Sequence, residues 1–104
     1  MSLDISLEEF GWHQVSEANI TSNLVPMWKK AGIYDALYNS AGKRAKDVLP
    51  TLRQGMTHMM THKDEYLPLN PPNGWGDYPS AVQWLRNVCN MFERNPNATI
   101  TISS

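Results

Sequence analysis

Asp77-Tyr78-Pro79-Ser80-Ala81-Val82-Gln83-Trp84-Leu85-Arg86-Asn87-Val88-Cys89-Asn90-Met91-Phe92, then Pro96, then Ala98-Thr99-Ile100-Thr101-Ile102-Ser103: this C-terminal stretch decides the fold class. Asp77 is a good N-cap, Pro79 suits a first helical turn, and Pro96 stops the helix. Ala81, Val82, Leu85, Val88, Cys89 and Phe92 recur at helical spacing and predict one buried stripe. Beyond Pro96 the period changes from about 3.6 to 2, with Ile100 and Ile102 alternating with Thr99 and Thr101 as in a β-strand. Helix and strand in succession predict an α+β domain.

Working outward, Val48, Leu49, Leu52, Met56, Met59 and Met60 form the apolar stripe of a second helix, with Asp47 as its cap and Pro50 in its first turn. Gly55 lies inside that helix, where it costs up to about 1 kcal/mol relative to Ala, a hint of close packing. Leu24, Met27, Trp28 and Ala31 predict an earlier helix that Gly32 ends, and Ile33 to Tyr38 another turn or two. His13 to Ile20 alternates loosely and reads as a short strand. The terminal strand needs a partner, so it is expected to pair near Val15 and Ile20. The outcome is a mostly helical α+β fold, about three main helices against a small sheet of N-terminal and C-terminal strands. Pro68, Pro71, Pro72, Gly74 and Gly76 forbid regular structure from Leu67 to Gly76.

The chain has 104 residues, room for a single domain spanning 1–104. Its apolar share of 41%, with 18% charged residues, is that of a folded domain. A formal net charge of −1 argues against DNA binding, whose affinity comes largely from neutralised phosphates. The one dense basic cluster, Lys43, Arg44 and Lys46, reads as a solvated turn. The first twenty residues hold Asp4, Glu8, Glu9 and Glu17 and no leader-like apolar run, and nothing approaches a membrane span. A cytoplasmic protein is expected.

Motifs for catalysis or metal binding are weak. The single cysteine, Cys89, falls in an apolar stripe and predicts an inert buried thiol. His58 and His62 have the spacing of two zinc ligands on one helical face, but no glutamate follows His58 and no third ligand is indicated. The adjacent carboxylates Glu8-Glu9 and Asp64-Glu65 read as solvated. No catalytic residue, metal or cofactor is assigned.

Two segments stand out. Asn73-Gly74-Trp75-Gly76-Asp77-Tyr78 combines glycines, which permit sharp bends and close backbone approach, with two aromatics that offer stacking surface. The alternative is that Trp75 plugs the core and the glycines only turn the chain. Asn19-Ile20-Thr21-Ser22-Asn23 puts alternate polar side chains on one face of a strand end, with Asn23 opening a helix whose amides could hold an anion; the alternative is simple strand-to-helix capping. Asn19, Thr21, Asn23, Trp75 and Tyr78, with Tyr34 beside them, are the candidate ligand-binding residues around one concavity.

Through Ala18-Asn19-Ile20-Thr21, Asn23-Leu24, Ala31-Gly32-Ile33-Tyr34, Ala36-Leu37, Asn73-Gly74-Trp75-Gly76 and Pro96-Asn97-Ala98, the chain resembles a family of small uncharacterised bacteriophage and bacterial proteins. The resemblance runs from about Val15 to Ser103. Ser22 departs from the larger residue usual there, and Asn39 to Lys43 is shorter than the usual Trp-containing loop. The resemblance brings no established activity and supports the fold outline and the choice of site; a phage-encoded protein of this kind, in the host cytoplasm, could sequester a host defence signal or block a defence enzyme. Two functions therefore stand side by side. One is non-catalytic binding of a small polar or nucleotide-like ligand by stacking and amide hydrogen bonds. The other is a protein-interaction module, in which six methionines with Trp28, Trp84 and Tyr38 give an adaptable face for a host defence protein or a homo-oligomer.

Overall fold

The structure is a computed structural model and describes residues 2–10 and 13–104. It is mostly helical α+β, as the C-terminal period change predicts. Three antiparallel strands, β1 (Ser2–Glu9), β2 (His13–Thr21) and β3 (Thr99–Ser103), form one sheet in the order β2-β1-β3. The centre strand is the correction to the sequence reading. β3 pairs with β1, with Ile5 opposite Ile102 and Leu7 opposite Ile100, and not with the segment around Val15 and Ile20. The reason lies in β1 itself. Leu3, Ile5 and Leu7 alternate with Ser2, Asp4, Ser6 and Glu8, so one face of β1 is wholly apolar and is fully buried. Each such side chain contributes about 1.5–3 kcal/mol relative to exposure. A strand this apolar on one face belongs in the middle, where both neighbours shield it.

The opposite face of the sheet is polar throughout. Register places Thr21 beside Ser2, Asn19 and Ser103 on either side of Asp4, and Glu17 and Thr101 on either side of Ser6. Paired residues share a face, so this surface carries hydroxyls, carboxylates and amides. The free edge of β3 is covered by backbone. Gly42 N–H donates to Ile100 O and Ile100 N–H to Lys43 O, both at 2.8 Å, next to a bridge between Arg44 and Thr99.

A 3-10 turn at Ser22–Leu24 leads from β2 into α1 (Val25–Lys30), and α2 (Tyr34–Tyr38) follows. The long helix α3 (Ala45–Thr61) starts before Asp47, so Pro50 is in its interior rather than its first turn. Its N-cap position is Arg44 and not Asp47. The first two amides, of Ala45 and Lys46, instead donate to the carbonyls of Ala98 (3.0 Å) and Pro96 (2.9 Å), so the chain preceding β3 satisfies the helix start. Short α4 (Lys63–Tyr66) and a 3-10 turn at Leu67–Leu69 follow, which makes the start of the proline-rich segment more regular than expected. Finally α5 (Tyr78–Arg94) begins at the Asp77 cap, whose carboxylate accepts from Ser80 N–H at 2.8 Å.

α3 and α5 pack side by side, and an exposed Arg53–Glu93 ion pair at 3.0 Å joins them. Trp28 and Trp84 meet in the core with ring centroids 5.6 Å apart. Gly55 explains itself by contact: a Cβ there would lie 2.2 Å from Ile33 Cγ2. Among the described residues, no helix is long and apolar enough to cross a membrane.

Candidate functional site

The polar face of the sheet ends in an open concavity of about 480 Å³, lined by Ser2, Asn19, Thr21, Asn23, Asn73 and Trp75. Four of the six residues singled out from the sequence, Asn19, Thr21, Asn23 and Trp75, therefore come together. They come from two segments separated by roughly fifty residues, and one close contact joins those segments. Gly76 has φ +96°, and a Cβ on it would lie 3.1 Å from both Leu24 Cγ and Thr21 Cγ2. Glycine here lets the loop backbone settle onto the end of β2.

Local hydrogen bonds shape the rim. Thr21 Oγ1 accepts the Asn23 backbone N–H at 3.3 Å, which turns the chain from strand into helix. Asn73 Oδ1 accepts the Trp75 N–H at 3.0 Å across a two-residue turn. Asn19 Nδ2 donates to Asp4 Oδ1 across the β1–β2 register. Trp75 is 68% exposed, so it does not plug the core. Ser2 and Asn73 complete the concavity, yet neither was among the candidates. Asn73 was legible as the start of the Asn-Gly-Trp-Gly run, whereas Ser2 depends on β1.

Tyr78 and Tyr34 are not at this site. Tyr78 is the first residue of α5 and is buried; its hydroxyl donates to Met59 O at 2.7 Å, and its N–H goes to Asn70 Oδ1. Its ring thus ties the start of α5 to the C-terminal end of α3. Tyr34 stacks on Tyr38 at 4.7 Å, with Lys29 Nζ 5.2 Å from its ring centroid. Burial pushes the Tyr38 hydroxyl up from its ordinary pKa, with Tyr34 adding to the shift.

His58 and His62 do share a helical face, their rings stacked 4.0 Å apart. His58 Nδ1 is 2.6 Å from the Tyr66 hydroxyl and His62 Nδ1 is 3.1 Å from His58 O. Burial drives the Tyr66 hydroxyl up to about 12, so it stays protonated. Among the described residues, no three His, Cys, Asp or Glu side chains are grouped to hold a metal ion. Cys89 is buried, and desolvation pushes its thiol up to about 11.

Trp28 and Trp84 face the core and Tyr38 is half-buried, so none of them supplies an open contact face. Exposed large apolar side chains among the described residues are Phe10, Met60, Leu67 and Trp75. Comparison with protein-family models, curated proteins and solved structures gives no match to this chain.

Proposed function

We propose that the chain is a non-catalytic binding protein for a small polar, nucleotide-like ligand, held between Trp75 and the polar end of β2. One observation carries this reading: Asn19, Thr21, Asn23 and Trp75 line a single concavity. A flat aromatic surface with a few placed hydrogen-bonding groups is the usual anatomy of a small-molecule site. The buried, protonated Cys89 thiol offers no ready nucleophile, in keeping with binding without chemistry. The interaction-module reading is weaker, because the tryptophans it relied on are in the core. On the resemblance to phage proteins, the binder acts in the host cytoplasm and sequesters a defence signal.

The direct test is to purify the chain from cells and identify copurifying metabolites by mass spectrometry. Trp75→Ala should weaken retention by about 1–3 kcal/mol where the indole stacks on a base. Asn19→Ala should reduce retention while the melting temperature stays near wild type. A stable variant that retains the ligand fully at both positions would refute the assignment.

A further inference from the structure

The hydrogen bonds already made inside the concavity fix what its side chains have left to offer. Carboxylate oxygens only accept, so the Asn19 group facing Asp4 must be the amide nitrogen. Asn19 then keeps its carbonyl Oδ1, an acceptor, for a ligand. Backbone N–H groups only donate, so the same logic holds twice more. Asn73 uses Oδ1 on the Trp75 amide and keeps its NH₂ donors. Thr21 uses an oxygen lone pair on the Asn23 amide and keeps its hydroxyl hydrogen. These three orientations follow from chemistry rather than from a choice of rotamer.

Charge completes the picture. Among the described residues lining the concavity there is no Lys, Arg or His. The Asp4 carboxylate that holds Asn19 is negative. A phosphate binds best where cations and convergent N–H donors meet it. Here, beside the neutral donors of Thr21 and Asn73, it would meet an amide carbonyl backed by a carboxylate.

We infer that the site takes an uncharged, hydroxyl-bearing ring, a sugar or the sugar–base unit of a nucleoside, and discriminates against its phosphorylated form. This rests on the binding function proposed above and narrows its ligand class. The ring's flat face lies on Trp75, which is exposed to receive it. A ring hydroxyl or N–H donates to Asn19 Oδ1, and ring oxygens or nitrogens accept from Thr21 and Asn73. A hydroxyl, which both donates and accepts, suits this mixed set; a fully ionised phosphate, which only accepts, does not.

The experiment is a matched-pair titration followed by calorimetry. The probes are the four ribonucleosides against their 5′-monophosphates, and glucose against glucose 6-phosphate. At least one neutral probe is expected to bind, and its phosphorylated partner about tenfold more weakly, the factor set by about 1.4 kcal/mol of like-charge repulsion. Asn23→Lys, which sets an ammonium at the rim, should narrow or reverse that ratio. A phosphorylated probe that binds wild type as tightly as its neutral partner overturns the inference, and so does failure of every neutral probe. Trp75→Ala separates the two levels of failure. If tight phosphate-ligand binding is lost in that variant, the site stands and the charge argument falls; if it is unaffected, the site itself is wrong.

Discussion

Gly76→Ala, compared with Gly74→Ala, tests whether the Trp75 loop is docked on the strand end. Both glycines have positive φ, +77° at Gly74 and +96° at Gly76. An alanine at either position pays the left-handed penalty of about 1–2 kcal/mol. Each also loses the same unfolded-state freedom, so that contribution cancels in the comparison. Space is what differs. A Cβ at Gly74 meets nothing within 4 Å, whereas at Gly76 it meets Thr21 Cγ2 and Leu24 Cγ at 3.1 Å and Leu24 Cδ2 at 3.2 Å. Leu24 is fully buried and cannot swing aside, so the loop must lift or the core must shift. Overpacking of this kind costs about 1–3 kcal/mol. Gly76→Ala should therefore be less stable than Gly74→Ala by that margin, read as the difference in urea midpoints at unchanged m. It should also bind the ligand class proposed above more weakly, because Trp75 moves with the loop. Equal stabilities, within about 0.5 kcal/mol, would refute the docking argument.

Two further outcomes follow from the core. Gly55→Ala should destabilise by about 1–3 kcal/mol despite its better helix propensity, because its Cβ would lie 2.2 Å from Ile33 Cγ2. Adding Ile33→Leu, which removes that methyl, should recover part of the loss in a double-mutant cycle, and a Gly55→Ala protein as stable as wild type would end the reasoning. With its thiol at about 11, Cys89 is ionised to only roughly a thousandth at pH 8 and is shielded besides. Alkylation at that pH should be slow in the native protein and fast in urea, and comparable rates in the two would contradict its burial.

Legibility in the sequence followed how local each cause was. The last helix could be read because its cap, its proline and its apolar stripe all lie within the helix or beside it. The terminal strand was legible too, from period alone, but its partner was not. Pairing is a long-range choice, and it went to Ser2–Glu9, whose strict alternation was itself visible in Leu3, Ile5 and Leu7. Asp4 and Glu8, in the same stretch, lie on the polar face of that strand. Tyr78 shows the opposite limit. Beside Gly-Trp-Gly it reads as part of a stacking loop, and only the position of the α3 C-terminus reveals that its hydroxyl belongs to Met59 O. Tyr34 likewise found a partner, Tyr38, one helical turn away. Tyr78's environment is set by a distant helix end, whereas Tyr34's partner lies in its own short helix.

The site segments differ from the rest of the chain in what remains after folding is accounted for. Thr21 caps a turn, Gly76 allows a close approach and Asp77 caps α5, where hydrogen bonds from Ser80 hold its carboxyl below the ordinary range. Those residues have structural work of their own. Trp75 has none that the structure displays: its backbone N–H closes the Asn73 turn, which any residue could do, while its ring stands in solvent. Burial favours an indole inside, as at Trp28 and Trp84, so an exposed ring over a polar concavity gains little from folding. Asn19 is similar. An amide on the outer face of a strand has no burial to gain, and its bond to Asp4 is an exposed contact of small net worth. What that bond does achieve is to hold one carbonyl oxygen in a fixed sense beside an exposed aromatic. Orientation without stability is what a recognition site requires, and it is the physical ground for placing function at this end of the sheet.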